Sequence, residues 1–172
     1  HAVTSRPALE QSAINGYFCP SRGGPRKFGV NMLNDYAPAT PGNSVDSWDQ
    51  FWHDPIWAVP TGAKYNGVVT RSQTRGTPGK MAHIKDGTSN TMVVSEKWLH
   101  SQKYDEGDWH DDQGWLDGWD PDVIRYTAFR PIPDSMGSPY GWDGYQFGSA
   151  HSAGINAVLA DGSVRMISYS MD

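Results

Sequence analysis

The sequence predicts a mainly β domain, α+β at most, in which an antiparallel sheet is interrupted by long irregular loops. Three observations carry that class. Of 172 residues, 19 are Gly, 12 are Pro and only 19% are charged. That mix suits short strands between many turns and disfavours a helical bundle, which needs runs of Ala, Leu, Glu and Lys. Thr91 to Leu99 alternates like a strand, and two strand-like runs flank Asp161-Gly162, a strong short-range hairpin signal.

A chain of this length fits one domain. Residues 1–63 read as a loop-rich segment packed on a β-rich body at 64–172. Residues 1–40 carry Pro7, Gly16, Pro20, Gly23-Gly24-Pro25 and Pro38, which predict turns and extended pieces rather than helix. In 41–63, Trp48, Phe51, Trp52 and Trp57 stand among Gly and Pro. Aromatics in such a loop fold inward and pin it to the body. Short strands are expected at Gly67 to Thr70 and again from Thr91.

Along that second strand, alternation puts Met92, Val94, Glu96 and Trp98 on one face. This face is the more apolar, so Glu96 points inward and needs a partner. The expected partner is a structural ion pair to Arg125 or Arg165. The turn cluster Asp86 to Asn90 precedes the strand. In the final hairpin, a two-residue loop at Asp161-Gly162 sets Ala160 opposite Ser163, Leu159 opposite Val164 and Ala157 opposite Met166. Ile155, Ala157, Leu159, Val164 and Met166 then share one apolar face. The expected core is Met92, Val94, Trp98, Ala157, Leu159, Val164 and Met166.

Net charge is −5, which repels a phosphate backbone and argues against nucleic acid as a partner. No stretch approaches the roughly 18 apolar residues of a membrane span. The chain has one cysteine, Cys19, too few for an internal disulfide or a spaced-cysteine zinc pattern. It reads as a buried small apolar residue, or as half of a disulfide to a segment upstream.

Chemistry concentrates between residues 105 and 122. Asp105, Glu106, Asp108, Asp111, Asp112, Asp117, Asp120 and Asp122 are eight of the chain's nineteen acids, with no Lys or Arg among them. Such a loop is either solvated or neutralised by a cation, and oxygen-rich flexible ligands suit Ca²⁺. Trp109, Trp115 and Trp119 interleave with these acids. Flat rings beside carboxylates make a sugar-binding surface, unless the rings bury themselves between loops. No catalytic residue is assigned. There is no G-x-S-x-G elbow, and Ser149 near His151 is a sequence neighbour rather than a triad. A copper site built from His1 and a second histidine among His83, His100, His110 and His151 is a weaker idea, since it needs His1 to be a true terminus.

Several phrases occur together in order: Tyr17-Phe18-Cys19-Pro20-Ser21-Arg22, Asp35-Tyr36-Ala37, Ile84 to Thr91 running into Ser95-Glu96-Lys97-Trp98-Leu99, Gly118-Trp119-Asp120 with Ile124-Arg125, and Phe147-Gly148-Ser149-Ala150-His151 with Ala160-Asp161-Gly162-Ser163-Val164-Arg165. The set resembles the exported, prepilin-type-processing-associated H-x9-DG proteins, a large paralogous family of unknown function. The resemblance implies a pilin-derived globular domain, the C-terminal portion of a pseudopilin-like protein whose leader and apolar helix lie upstream. It also implies an extracellular or cell-surface location, membrane contact only through that upstream helix, and a cysteine there to partner Cys19.

The motif residues His151, Asp161 and Gly162 are not expected to share an ion. An extended strand over 155–160 separates them by about 20 Å at roughly 3.3 Å per residue. Asp161 reads as a turn residue, and His151 as a histidine bonded to backbone. The leading functional expectation is a non-catalytic exported surface or secretion-filament-associated protein with protein partners. A carbohydrate-binding module that takes polysaccharide through the Trp and Asp loop is the alternative, and an enzyme, either a hydrolase or a copper oxidase using His1, comes third.

Overall fold

A computed structural model describes residues 2–40, 68–69, 80–118, 120–137 and 144–171. The segment with Trp48, Phe51, Trp52 and Trp57, together with His1, Gly67, Thr70 and Trp119, lies outside the described residues. Val68 and Val69, expected in a strand, form a bend. No helix among the described residues is long and apolar enough to cross a membrane.

The chain is mainly β. Helix α1 (Ala2–Glu10) is followed by β1 (Lys27–Phe28), β2 (Asn31–Met32), β3 (Tyr36–Thr40), β4 (Met92–Glu96), β5 (Arg125–Tyr126), β6 (Ile132–Pro133), β7 (Gly148–Ser149), β8 (Gly154–Leu159) and β9 (Val164–Ser168). A five-stranded sheet runs β5-β3-β4-β8-β9, antiparallel except for the parallel β3–β5 pair. Among the described residues there are also two two-stranded ladders, β1-β2 and β6-β7.

Helix α1 departs from the expectation of turns. Pro7 lies inside it and forfeits one backbone donor. Arg6 Nε bridges the same turn to Glu10 Oε1 at 2.6 Å, an i,i+4 pair. Strand β3, drawn from the loop-rich segment, occupies an interior position beside β4. A β-bulge between Met92 and Val94 resets the parity of β4. Met92 therefore faces the core formed by Ala37, Ala39, Phe147 and Ile155, whereas Val94 and Glu96 face the other side. Strict alternation across 92–98 does not hold: Ser95, Glu96, Lys97, Trp98 and Leu99 are all buried.

The final hairpin forms where expected, in a register shifted by one residue. Leu159 N–H donates to Ser163 O and Gly162 N–H to Leu159 O, both at 2.9 Å. The loop thus holds three residues, Ala160 to Gly162, with Gly162 in the left-handed region at φ +83°. This is the three-residue hairpin that ends in a glycine bulge. Val158 pairs with Val164, and Asn156 with Met166. Ile155, Ala157 and Leu159 keep the inner face. Val164 and Met166 turn outward, 67% and 62% exposed, and Ile167 and Tyr169 pack on the core instead.

The two registers make opposite predictions. Leu159→Ala should cost about 2–5 kcal/mol through transfer and cavity terms. Val164→Ser and Met166→Gln should each stay within about 0.5 kcal/mol, as exposed substitutions do. Urea denaturation of the three variants checks this, and a large loss at Val164 or Met166 would restore the two-residue loop.

Candidate functional site

The structure's densest chemistry is a buried lattice of charges. Arg22, in the single turn Pro20–Arg22, grips Asp134 with Nε to Oδ2 at 2.8 Å and Nη2 to Oδ1 at 3.1 Å. Its Nη2 also donates to Lys97 O at 2.7 Å. Arg26 spans two acids, Asp35 through Nη2 at 2.6 Å and Asp111 through Nη1 at 2.8 Å. Lys97 Nζ donates to Asp111 Oδ1 at 2.7 Å and to Asp122 O at 2.8 Å. All six of these charged side chains are buried. Against burial, which alone raises a carboxyl pKa, Lys97 and Arg26 hold Asp111 well below the usual carboxylate range. Arg125 and His110 lie next to this lattice, with Arg125 Nη2 3.3 Å from His110 O. Burial and the Arg125 charge push His110 down to about 3, so its imidazole is neutral at ordinary pH.

The acidic loop divides into two populations. Asp111 is consumed by Arg26 and Lys97. Asp108 accepts from Lys103 Nζ at 2.7 Å and from Trp109 N–H at 2.9 Å, and Asp105 is exposed. Carboxylate oxygens of Asp117, Asp120 and Asp122 instead lie within 4.8 Å of one another. Asp122 is fully buried. Its Oδ1 accepts the backbone N–H groups of Asp112, Gln113 and Gly114 at 2.6, 2.8 and 3.3 Å, while its Oδ2 accepts no hydrogen bond among the described residues. Burial and contact with the Asp122 carboxyl push Asp120 up to about 7. Burial, then the Asp122 charge, also raises Asp112 and Asp117. Carboxylates in such contact are stable only with a shared proton or a cation.

Trp109 is 50% exposed and leans edge-on against His110, with centroids 5.1 Å apart. Trp115 is half-buried and meets Tyr17 edge-on at 5.8 Å. The rings of Trp109 and Trp115 thus take different environments, one facing solvent and one turned inward.

Glu96 is fully buried, but its partner is neither Arg125 nor Arg165. Arg125 lies beside His110, and Arg165 is exposed on β9. The β8 register instead places Asn156 across from Glu96, whose Oε2 accepts Asn156 N–H at 2.7 Å and Nδ2 at 3.3 Å. Glu96 Oε1 faces His151 Nε2 at 3.1 Å, and that nitrogen lies 3.7 Å from Cys19 Sγ. His151, expected to bond backbone, instead sets its ring nitrogen Nε2 against Glu96 and Cys19. Only its main-chain N–H does a local job, donating to Ser149 Oγ at 3.0 Å. The Ser149 hydroxyl is itself occupied by Gly154 O and Tyr169 OH, both at 2.9 Å. Asp161 behaves as a turn residue, its Oδ1 accepting Ser163 N–H and Oγ–H at 2.9 and 2.7 Å.

These features define a β domain braced by buried ion pairs that carries an acid-rich loop and, apart from it, a thiol–imidazole–carboxylate cluster. The family model for proteins of unknown function designated DUF1559 (SBP_bac_10) matches residues 2–172, and the chain belongs to that family. No curated protein and no solved structure matches it.

Asp111→Asn at neutral pH should cost about 3–5 kcal/mol, because Lys97 is left buried with its charge uncompensated. The sign with pH follows from the lowered folded pKa of Asp111. Its ionised form favours the fold above the unfolded value of about 3.9, and that contribution is lost as pH falls below it. The stability gap between parent and variant, measured by urea denaturation, should therefore narrow below about pH 4.

Proposed function

We propose that the chain is the non-catalytic globular part of an exported, pseudopilin-like surface or secretion-filament protein, and that Ca²⁺ clasps its acidic loop. The clasped loop holds Trp109 outward toward a protein partner in that assembly. The observation that carries this reading is the buried Asp122 Oδ2, which no N–H or hydroxyl group of the described residues reaches and which has only the neighbouring carboxyls of Asp117 and Asp120 beside it. Asp122 Oδ1 is anchored by three backbone donors, so Oδ2 is held in place rather than free to turn to solvent. Ca²⁺ tolerates irregular oxygen geometry and completes its shell with water or carbonyls, whereas Mg²⁺ demands a stricter octahedron and keeps its waters. Calcium-binding modules outside the cell work at affinities of roughly 10⁻⁴–10⁻³ M, within reach of such a three-carboxylate site. The ordered phrases from Tyr17 to Arg165 support the pseudopilin-like setting by resemblance.

Polysaccharide is the second partner to test, because Trp109 exposes half its surface beside carboxylates. Polysaccharide pull-down that is lost in Trp109→Ala would favour it over a protein partner.

Calcium should raise the melting temperature, with stabilisation of about 2.7 kcal/mol when free ion is 100 times Kd. Mg²⁺ should do less. Asp120→Asn and Asp117→Asn should each melt higher than the parent in chelator, because one repelling charge is gone, and should lose the calcium response. Asp108→Asn should keep it. Identical melting of the parent in Ca²⁺ and chelator would overturn the clasp, as would equal stabilisation by Na⁺ at matched ionic strength.

A further inference from the structure

Three segments remote in sequence bring Cys19, Glu96 and His151 together, and we infer that they form a binding site for a thiophilic transition-metal ion, Zn²⁺ by chemistry. The site is separate from the acidic loop and differs from it in ligand type. Sγ, Nε2 and a carboxylate oxygen all lie within 4.8 Å of one another. The Sγ–Nε2 distance is 3.7 Å and the Nε2–Oε1 distance is 3.1 Å. A tetrahedral ion with Zn–S about 2.3 Å, Zn–N about 2.0–2.1 Å and Zn–O about 2.0–2.2 Å has S–N and N–O edges of roughly 3.5 and 3.3 Å. The observed edges straddle those values.

A second observation points the same way. Glu96 is fully buried, and its Oε1 makes no well-aligned hydrogen bond but lies 3.1 Å from His151 Nε2, a contact that is attractive only in the tautomer that puts a proton on that nitrogen. In the other tautomer the buried oxygen and Nε2 face each other as two acceptors, which is costly, and an ion between them satisfies both. The supporting contacts hold the ligands in place. Cys19 N–H donates to Asp35 Oδ2 at 2.6 Å, which ties the thiol's backbone to the charge lattice. Asn156 holds Glu96 Oε2. His151 is 35% exposed on its side chain, which gives the ion access and leaves a fourth position for water. Sulfur and imidazole select Zn²⁺ over the hard cations that suit the acidic loop. Binding releases the Cys19 thiol proton to solvent as the thiolate–metal bond forms.

The test uses Co²⁺ and Zn²⁺ on the whole chain, reduced and stripped of metal. Co²⁺ should bind at one per chain and give thiolate-to-cobalt charge-transfer absorption, with the intense visible bands of a four-coordinate ion. Zn²⁺ should displace it, and millimolar Ca²⁺ should not. His151→Asn, at a partly exposed position, should stay folded by circular dichroism. It should weaken Zn²⁺ binding by more than the roughly 10–100-fold that loss of a residue supporting a ligand costs. Cys19→Ser should abolish the charge-transfer band, and Glu96→Gln should reduce affinity. The inference is overturned if folded parent protein gives no such spectrum, leaving a metal-free hydrogen-bonded cluster. It is equally overturned if folded His151→Asn gives the parent's spectrum and affinity.

Discussion

Asp111 sits between Arg26 and Lys97, 2.8 and 2.7 Å from their nitrogens, with all three side chains buried. Desolvating these charges is costly, and the arrangement persists because nearly every remaining donor and acceptor also finds a partner. Arg26 goes on to Asp35 and to Tyr104 O, and Lys97 goes on to Asp122 O. Arg22 closes the lattice onto Asp134, whose Oδ1 also accepts Leu99 N–H. The contacts therefore tie the early turns, the end of β4, the acidic loop at Asp111 and Asp122, and Asp134 to one another. A sheet with small strands and many turns has few ways to fix its loops through apolar burial alone. Here directional ion pairs do that.

Both candidate ion sites hang from this lattice. Asp35 accepts Arg26 through Oδ1 and the Cys19 N–H through Oδ2, so the thiol's backbone is positioned by the same carboxylate that balances a guanidinium. Lys97 holds the backbone carbonyl of Asp122, so the acidic loop is anchored at its most buried acid. Sequence neighbours at the end of β4 thus serve opposite faces: Glu96 reaches Asn156 and His151, and Lys97, just beyond the strand, reaches Asp111. The acids that Lys97 and Arg26 engage are neutralised within the protein. Asp117, Asp120 and Asp122 are the ones whose charges are left facing each other.

Much of the architecture was legible in the sequence, and what escaped did so for identifiable reasons. Thr91 to Leu99 and the two runs around Asp161-Gly162 announce β4, β8 and β9 through period-two patterning and turn chemistry. The one-residue register shift was not legible. Asp-Gly serves both the two-residue loop and the bulged three-residue loop, and the apolar match at Val164 and Met166 favoured the wrong one. A bulge at Met92/Val94 leaves no mark in composition, so alternation alone puts Glu96 on the face of Met92 and points it to an arginine rather than to Asn156 and His151. The concentration of acids at 105–122 was plain, but which acids meet cations depends on Arg26, Lys97 and Lys103, all outside that stretch. Cys19 and His151 each stood out singly. Nothing local in the sequence joins residues 19, 96 and 151.

The spacing between His151 and Asp161-Gly162 takes its meaning from strand β8 rather than from a shared ligand. Gly154–Leu159 spans six residues, about 20 Å when extended. The turn at one end, stiffened by Asp161 and bent by Gly162, fixes how β9 pairs with β8. The β4–β8 register places Ala157 across from Ser95 and brings Asn156 to Glu96. With Asn156 anchored there, the chain five residues earlier delivers His151 to the other oxygen of the same carboxylate. Lengthening or shortening β8 by one residue would change the face on which Asn156 lies and remove His151 from Glu96. The histidine and the turn are thus coupled through strand length: one end sets the register, and the other uses it to complete the cluster with Cys19.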